Sequence, residues 1–108
     1  MGTISIEDFK KLDIRTALIE SVEPHPNADR LYVIGIRVGD IQKAIVAGIR
    51  PFYEADSLLG KTIVIVHNLE PCVIRGVESQ GMLLAVSDEN TLAVLTPEKP
   101  MADGLGVG

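Results

Sequence analysis

The sequence predicts an all-β domain, and three observations lead to that prediction. Hydrophobic residues make up 46% of the 108 residues, yet the chain has two Phe, two Tyr and no Trp, so aliphatic side chains must fill the core. Val and Ile dominate the apolar runs, and these β-branched residues favour strands. The runs are short, several alternate between apolar and polar residues, and Gly, Pro and Asn separate them. A chain of this length fits one domain with a modest core.

The first half of the chain predicts a short helix followed by three strands. Ser5, with the acidic Asp8 three residues later, is a signal for a helix start, and we expect this helix to cap one end of the sheet. Two prolines in residues 23–30 predict a loop of fixed shape after the first strand. Gly39-Asp40 predicts a tight turn between the second and third strands. The three predicted strands cover residues 13–22, 31–38 and 42–47.

The second half predicts one small helix between the third and fourth strands, and further strands after it. Residues 51–59 place apolar side chains at helical spacing. Residues 68–82 contain Pro71, Gly76 and Gly81, so they predict an irregular connector between two strands. The predicted strands of this half cover residues 62–66, 82–86 and 91–95.

Five or six short strands with these two helices describe a Greek-key barrel of the OB type. Residues 97–108 form a tail rich in Pro and Gly. Its isolated apolar residues Met101, Leu105 and Val107 would be unusual in full contact with solvent, so we expect them to pack on this subunit or on a second one. The OB fold often binds oligonucleotides, but a fold alone does not determine a function.

No pattern in the sequence is typical of a catalytic or metal site. The single cysteine, Cys72, excludes an internal disulfide and a cysteine-based metal cluster. The two histidines, His25 and His67, have no partner at metal-ligand spacing. A nucleophilic Cys72 would need a base and an orienting group, and no such pattern is present. We therefore expect no catalytic residue, no metal, no cofactor and no enzymatic activity of the chain's own.

The N-terminal residues lack the apolar core of a signal peptide. No apolar run approaches the roughly 18 residues that a membrane span needs. A single unpaired cysteine fits a reducing compartment. We expect a soluble, cytoplasmic protein that does not associate with a membrane.

The charge balance opposes a basic protein but allows a local basic patch. Ten Lys and Arg against fifteen Asp and Glu give a formal net charge of −5 and a pI near 4.9, whereas nucleic-acid-binding domains are usually basic. Four acids and one base lie from Asp88 onward, which leaves eleven acids and nine bases before it. The residues before Asp88 therefore carry nearly equal numbers of positive and negative charges.

The connector over residues 68–82 carries polar groups that a plain connector does not need. On an OB barrel it faces the same groove as the loop over residues 23–30. Arginines neutralise phosphate, polar side chains hydrogen-bond to RNA, and Met82 offers a polarisable surface for a base. For Ser79 and Met82 the residue types fit barrel packing and turn capping equally well. The candidate RNA-binding residues are Arg30, Asn68, Arg75, Ser79, Gln80 and Met82.

Several motifs, in the same order along the chain, resemble the dimeric tRNA-binding domain family. The signature is Asn68-Leu69 with Pro71, followed by RGVESQGM over residues 75–82. Members occur as stand-alone proteins, as the C-terminal part of methionyl-tRNA synthetases, and at the start of bacterial phenylalanyl-tRNA synthetase beta chains. The other matching motifs are Asp8-Phe9, Asp13-Ile14-Arg15, His25–Tyr32, Val38-Gly39-Asp40, Ile45–Ile49 and Leu59-Gly60-Lys61.

The resemblance implies a non-catalytic domain over residues 1–108 that recognises the shape of tRNA. It further implies that the chain forms a homodimer through about residues 95–108. It also implies that the chain serves an aminoacyl-tRNA synthetase, such as methionyl-tRNA synthetase, in trans. Glu70 and Cys72 stand where family members often carry Lys or Arg, which lowers the expected affinity and salt dependence. The family's tRNA contacts match Arg30, Asn68, Ser79 and Met82 here.

One branch of the family resembles secretion-related chaperones of the CsaA type, which bind unfolded peptides in the groove of the dimer. The acidic balance of this chain favours that branch more than a typical member would. A peptide-binding export chaperone that uses the same groove is therefore the alternative function.

Overall fold

The computed structural model describes residues 2–108, and the predicted all-β architecture is confirmed. The helical elements are α1 (Ile6–Phe9), a 3-10 turn (Arg50–Phe52) and α2 (Ala55–Leu58). The strands are β1 (Ile14–Pro24), β2 (Tyr32–Val38), β3 (Ile41–Ala47), β4 (Thr62–Val66), β5 (Cys72–Ile74), β6 (Val77–Ser79), β7 (Met82–Leu83), β8 (Ala85–Ser87) and β9 (Leu92–Val94).

Five strands form one curled antiparallel sheet in the order β3-β2-β1-β4-β7, while β5–β6 and β8–β9 form two separate hairpins. Burial alternates along β2, as its sequence pattern predicted, because every second side chain points into the core. The register of β1 against β2 shifts between Ile19 and Ser21. Such a bulge bends a long strand and lets the sheet curl.

Residues 79–81 bring together β3 and β7, the two edge strands of the sheet. The Gln80 N–H donates to the Ala44 carbonyl at 2.9 Å, and the Ala44 N–H donates to Gln80 Oε1 at 3.2 Å. The Val46 N–H donates to Ser79 Oγ at 2.9 Å. These bonds satisfy backbone groups of β3 that an open edge would leave unpaired.

The N-terminal helix begins where the sequence predicted, and it is short and mostly exposed. Ser5 Oγ accepts a hydrogen bond from the Asp8 N–H at 3.1 Å, as the start signal indicated. The helix is only four residues long, and Phe9 is the residue of it that is half-buried. The chain after it is held by Asn68, whose side chain accepts from the Asp13 N–H at 2.8 Å and donates to the Lys11 carbonyl at 2.7 Å.

The helix predicted over residues 51–59 is split in two by Tyr53. This residue is extended, with φ −141° and ψ 134°, between the 3-10 turn and α2. Its carbonyl accepts from the Tyr32 hydroxyl at 2.6 Å, and its hydroxyl accepts from the Val94 N–H at 3.1 Å. These contacts with distant strands override the helical spacing of the local sequence.

The connector predicted over residues 68–82 contains a β-hairpin. β5 and β6 pair Ile74 with Val77, which leaves Arg75 and Gly76 as a two-residue turn. Their φ angles are 52° and 90°, and two successive positive values are the signature of a type I′ turn. An arginine is uncommon at positive φ, so the sequence carried only a weak hairpin signal.

The strand predicted over residues 82–86 changes partners at Leu84. The Leu84 N–H continues the pairing with β4 by donating to the Val64 carbonyl at 2.9 Å. The Leu84 carbonyl accepts from the Leu95 N–H at 3.0 Å, so the next residues leave the sheet and pair with β9. Apolar periodicity does not reveal a change of partner, which explains the prediction of one continuous strand.

The C-terminal tail docks on the first half of β1 of its own chain. The Gly104 N–H donates to the Thr16 carbonyl at 2.7 Å, and the Thr16 N–H donates to the Leu105 carbonyl at 2.9 Å. Asp103 accepts from the Gly39 N–H at 2.8 Å and pairs with Arg37 at 3.2 Å. The Arg37 hydrogen bond, followed by that of the Gly39 N–H, lowers the pKa of Asp103.

The tail therefore packs on its own subunit, and packing of its apolar side chains on a second subunit stays a prediction. The side chains of Met101, Leu105 and Val107 nevertheless remain between 40% and 48% exposed. They line an apolar groove of about 330 Å³ with Thr16 and Val64. Among residues 2–108, no helix has the length and apolar character needed to cross a membrane.

Candidate nucleic-acid interface

The tip of the β5–β6 hairpin rests on the loop between β1 and β2. Asn27 Nδ2 donates to the Arg75 carbonyl at 3.1 Å, and Arg75 Nη2 donates to the Asn27 carbonyl at 3.2 Å. The buried His25 places its Nε2 3.0 Å from the Ile74 carbonyl. The connector and the loop that the sequence assigned to one groove are thus in direct contact.

Arg30 and Arg75 line one open groove of about 430 Å³, which we call the arginine groove. Both side chains are exposed. Asp29 also lines this groove, but within residues 2–108 none of the three charged groups forms an ion pair. Two guanidinium groups therefore offer several N–H donors to solvent, in the planar arrangement that matches a phosphate group.

Three other cations of the described chain are already neutralised. Lys11 lies 3.1 Å from Asp8, Arg15 lies 2.8 Å from Asp13, and Arg37 lies 3.2 Å from Asp103. Other Lys and Arg also form no ion pair among residues 2–108, and the arginine groove differs in bringing two guanidinium groups to one surface.

Ser79 faces the core, not the solvent. It is 4% exposed, and its hydroxyl accepts from the Val46 N–H and donates to the Gly81 carbonyl at 3.2 Å. Gln80 uses its Oε1 on the Ala44 N–H, whereas its Nε2 forms no hydrogen bond with residues 2–108. Ser79 therefore takes part in packing and turn capping, and its RNA contact stays a prediction.

Among the six candidate residues, Met82 offers an apolar surface. It is 48% exposed and pairs with Val66 at the edge of the sheet. It borders a shallow groove of about 210 Å³, mostly apolar, that extends from the end of β3 to the β8–β9 hairpin. A planar base could lie against such a surface.

Asn68 is exposed, but both polar atoms of its side chain are used to hold the segment between α1 and β1. An amide oxygen has two lone pairs and an amide nitrogen has two hydrogens, so one of each remains free for a ligand. The structure therefore brings Arg30 and Arg75 together at one groove and distributes Asn68, Ser79, Gln80 and Met82 along the connector.

Sequence reasoning missed the part that His25 and Asn27 play at this site. Asn27 lies on the loop that the sequence assigned to the groove, but its contact with Arg75 and the contact of His25 with Ile74 were not predicted. The signal that could have revealed them is a histidine followed two residues later by an asparagine in a proline-stiffened loop, since both side chains can tie a loop to a neighbour. Among the described residues, no group of three or more His, Cys, Asp and Glu could hold a metal ion.

The comparison with known families decides the identity of the domain. Residues 14–105 match the family model described as "Putative tRNA binding domain". The chain belongs to the tRNA-binding domain family. The Methionine–tRNA ligase of Thermococcus kodakarensis is 48% identical over 104 residues, which cover 96% of this chain and 14% of that protein. The chain thus spans about one seventh of the length of this relative.

Two solved structures have the same fold as this chain. A MetRS-related protein from Pyrococcus horikoshii superposes with a TM-score of 0.93 at 27% identity and covers 100% of both chains. The CsaA chaperone protein of Picrophilus torridus superposes with a TM-score of 0.90 at 30% identity and covers 98% of this chain and 100% of its own. The tRNA-binding domain is non-catalytic by itself, although its curated relatives are parts of an enzyme.

Proposed function

We propose that this domain binds tRNA through the arginine groove and serves a methionyl-tRNA synthetase as its tRNA-binding part, in trans, in the cytoplasm. The observation that carries the proposal is the pair Arg30 and Arg75, held on two contacting loops and free of carboxylate partners among residues 2–108. The domain performs no chemistry. It raises the local concentration of tRNA near the synthetase.

The groove suits recognition of shape more than of sequence. Arginine contacts to phosphate fix the position of a nucleic acid and carry no sequence information. Arg30 and Arg75 would contact phosphates, Gln80 Nε2 and the free positions of Asn68 would bond sugar or base, and Met82 would pack under a base. Ser79 holds the connector against β3 and acts through its neighbours.

The proposal includes an OB-type barrel that forms a homodimer through residues 95–108. Its support is the tail itself, which is anchored on β1 by hydrogen bonds yet keeps Met101, Leu105 and Val107 turned toward solvent. A segment held in place with exposed apolar side chains is suited to a second subunit. Two copies would also present two arginine grooves to one tRNA.

A gel-shift series with total tRNA at rising salt tests the RNA-binding proposal. We expect Arg30→Ala to weaken binding about tenfold because a charge-assisted hydrogen bond is lost. The loss should affect different tRNA species alike, and the logarithmic salt slope should become shallower by about 0.9, as for one lost phosphate contact. The control is Lys10→Ala, which removes one exposed positive charge outside the groove.

Three results would contradict the proposal: unchanged binding in Arg30→Ala, an equal loss in Lys10→Ala, or a loss confined to some tRNA species.

An aggregation-suppression assay beside the gel shift tests the alternative, a CsaA-like peptide-binding chaperone. The net charge of −5 and the likeness to the Picrophilus torridus chaperone favour testing it. Chaperone activity without salt-sensitive retention of tRNA would establish the alternative.

A further inference from the structure

We propose that His25 is a positioning residue: its imidazole clamps the β5–β6 hairpin to the loop between β1 and β2 and so sets the spacing of Arg30 and Arg75. The effect on RNA affinity rests on the proposed function. The clamp itself is a property of the protein alone and can be measured without RNA.

The hydrogen bonds of His25 determine which ring nitrogen carries the proton. The Asn27 N–H lies 2.9 Å from Nδ1, and a backbone N–H can only donate, so Nδ1 is an acceptor. In the neutral imidazole the proton is then on Nε2, which donates to the Ile74 carbonyl at 3.0 Å. His25 is 4% exposed, so water has little access to its ring nitrogens. Both nitrogens are satisfied in one tautomer.

Because of the position of His25, its two side-chain hydrogen bonds connect the segments that carry Arg30 and Arg75. The His25 N–H donates to the Leu31 carbonyl at 3.0 Å, which closes the loop just after Arg30. On the other side, Ile74 directly precedes Arg75 in the hairpin turn. The imidazole therefore joins a closed loop that carries one arginine to the base of the turn that carries the other.

The other hydrogen bonds between the two loops are more exposed. The reciprocal bonds of Asn27 and Arg75 lie on exposed residues, where water competes with them. The β5–β6 hairpin has only three residues in each strand, and a short two-stranded hairpin is marginally stable by itself. Without the buried bond the hairpin tip would move relative to the loop, and binding would then carry the entropy cost of fixing the two guanidinium groups.

Two substitutions separate the two bonds of the clamp. His25→Gln places an amide nitrogen the same number of bonds from Cα as Nε2, so it keeps a donor for the Ile74 carbonyl. His25→Asn places an amide oxygen at the position of Nδ1, so it keeps an acceptor for the Asn27 N–H and loses the bond between loops. Both variants keep a polar side chain without charge, which makes each a control for the other.

The first measurement uses nuclear spin relaxation of the Arg75 and Gly76 amides without RNA. We expect these amides to be ordered in the wild type and in His25→Gln, and mobile in His25→Asn. Imidazole nitrogen shifts of the wild type should show a proton on Nε2. Equal order at the hairpin tip in both variants, or a proton on Nδ1, would overturn the clamp whether or not the protein binds tRNA.

The second measurement is a double-mutant cycle for tRNA affinity. His25→Asn should weaken binding about fivefold in the wild-type background, as for a lost hydrogen bond, and His25→Gln should weaken it much less. In an Arg75→Gln background the effect of His25→Asn should nearly vanish, because one of the two positioned groups is absent. If His25→Asn lowers the tRNA affinity by the same factor in the wild-type and Arg75→Gln backgrounds, His25 only supports the fold. If Arg30 and Arg75 variants bind tRNA normally, the proposed function fails while the relaxation result stands on its own.

Discussion

At the scale of single residues, the connector uses most of its polar side chains to build the site. Asn68 anchors the segment before β1, and Ser79 and Gln80 join the connector to β3. Their hydrogen bonds anchor the connector that carries Arg75. Polar residue types in a loop thus indicated a functional region, while their individual roles depended on which atoms were near them.

His67 is the residue whose surroundings bear most clearly on pH dependence. Its Nδ1 is buried and has no hydrogen-bond partner among residues 2–108, and its carbonyl accepts from Lys43 Nζ at 2.9 Å. Burial lowers the pKa of His67, and the positive charges of Lys43 and Arg15 lower it further, against an opposing effect of Asp13. The folded protein therefore disfavours the imidazolium.

This predicts a loss of stability on the acid side. The unfolded chain takes up the proton first, near the ordinary imidazole pKa of about 6.5. The free energy of unfolding should therefore be unaffected by His67 above that pH and should fall as pH drops toward the lower folded pKa. Urea unfolding between pH 8 and pH 5 measures it, with His67→Gln as control. A wild type whose stability falls no more steeply than that of His67→Gln would contradict the prediction.

At the scale of elements, the C-terminal tail takes a place that the sheet leaves open. β2 pairs with β1 from Leu18 onward, so the earlier part of β1 has an unpaired edge on that side. The tail forms backbone hydrogen bonds with Ile14 and Thr16 on this edge of β1, and β4 pairs with the opposite edge. It approaches the β2–β3 turn so closely that Gly104 lies against Gly39.

We expect Gly104→Ala to destabilise the docked tail. An added Cβ would lie 2.6 Å from the Gly39 nitrogen, and Gly104 has a φ of +78°. Strain of this kind costs about 1–3 kcal/mol of the free energy of unfolding, measured by urea denaturation. Gly106→Ala is the matched control, because a Cβ there meets nothing within 4 Å and should change stability by less than about 0.5 kcal/mol. Equal stability of the two variants would show that the tail docks differently.

At the scale of the whole molecule, a net charge of −5 coexists with a local cationic groove. A net negative protein repels a polyanion at long range, whereas the groove attracts a phosphate at short range. Screening the long-range repulsion and weakening the short-range contacts are opposing effects of salt. The salt dependence of tRNA binding should therefore be shallower than for a basic domain of the same size.

The dimer is the second property of the whole molecule that can be tested. We expect the wild type to sediment as a dimer and the triple variant Met101→Ser, Leu105→Ser and Val107→Ser to sediment as a monomer, because the apolar surface of the tail is removed. Val86→Ser is the control, since Val86 is 59% exposed on the β8–β9 hairpin, outside the tail. A monomeric wild type, or a triple variant that remains dimeric, would contradict a tail-mediated dimer.

The amino-acid sequence by itself determined the all-β class, the β2–β3 hairpin and the start of α1. These features depend on local chemistry: period-two burial along β2, a Gly-Asp turn, and a serine at the helix start. The residue motifs also determined the family, because several of them occur in the right order. The proposed RNA contacts of the six candidate residues remain predictions.

Only the tertiary structure decided the features that depend on distant partners. Tyr53 breaks a helix because it bonds to Tyr32 and Val94, and Leu84 ends a strand because its carbonyl bonds to Leu95. The buried His25 could not be distinguished from a surface histidine until the Ile74 carbonyl was placed beside it. In each case the deciding interaction joins residues at least eleven positions apart, and the period of apolar residues within one element does not identify such a partner.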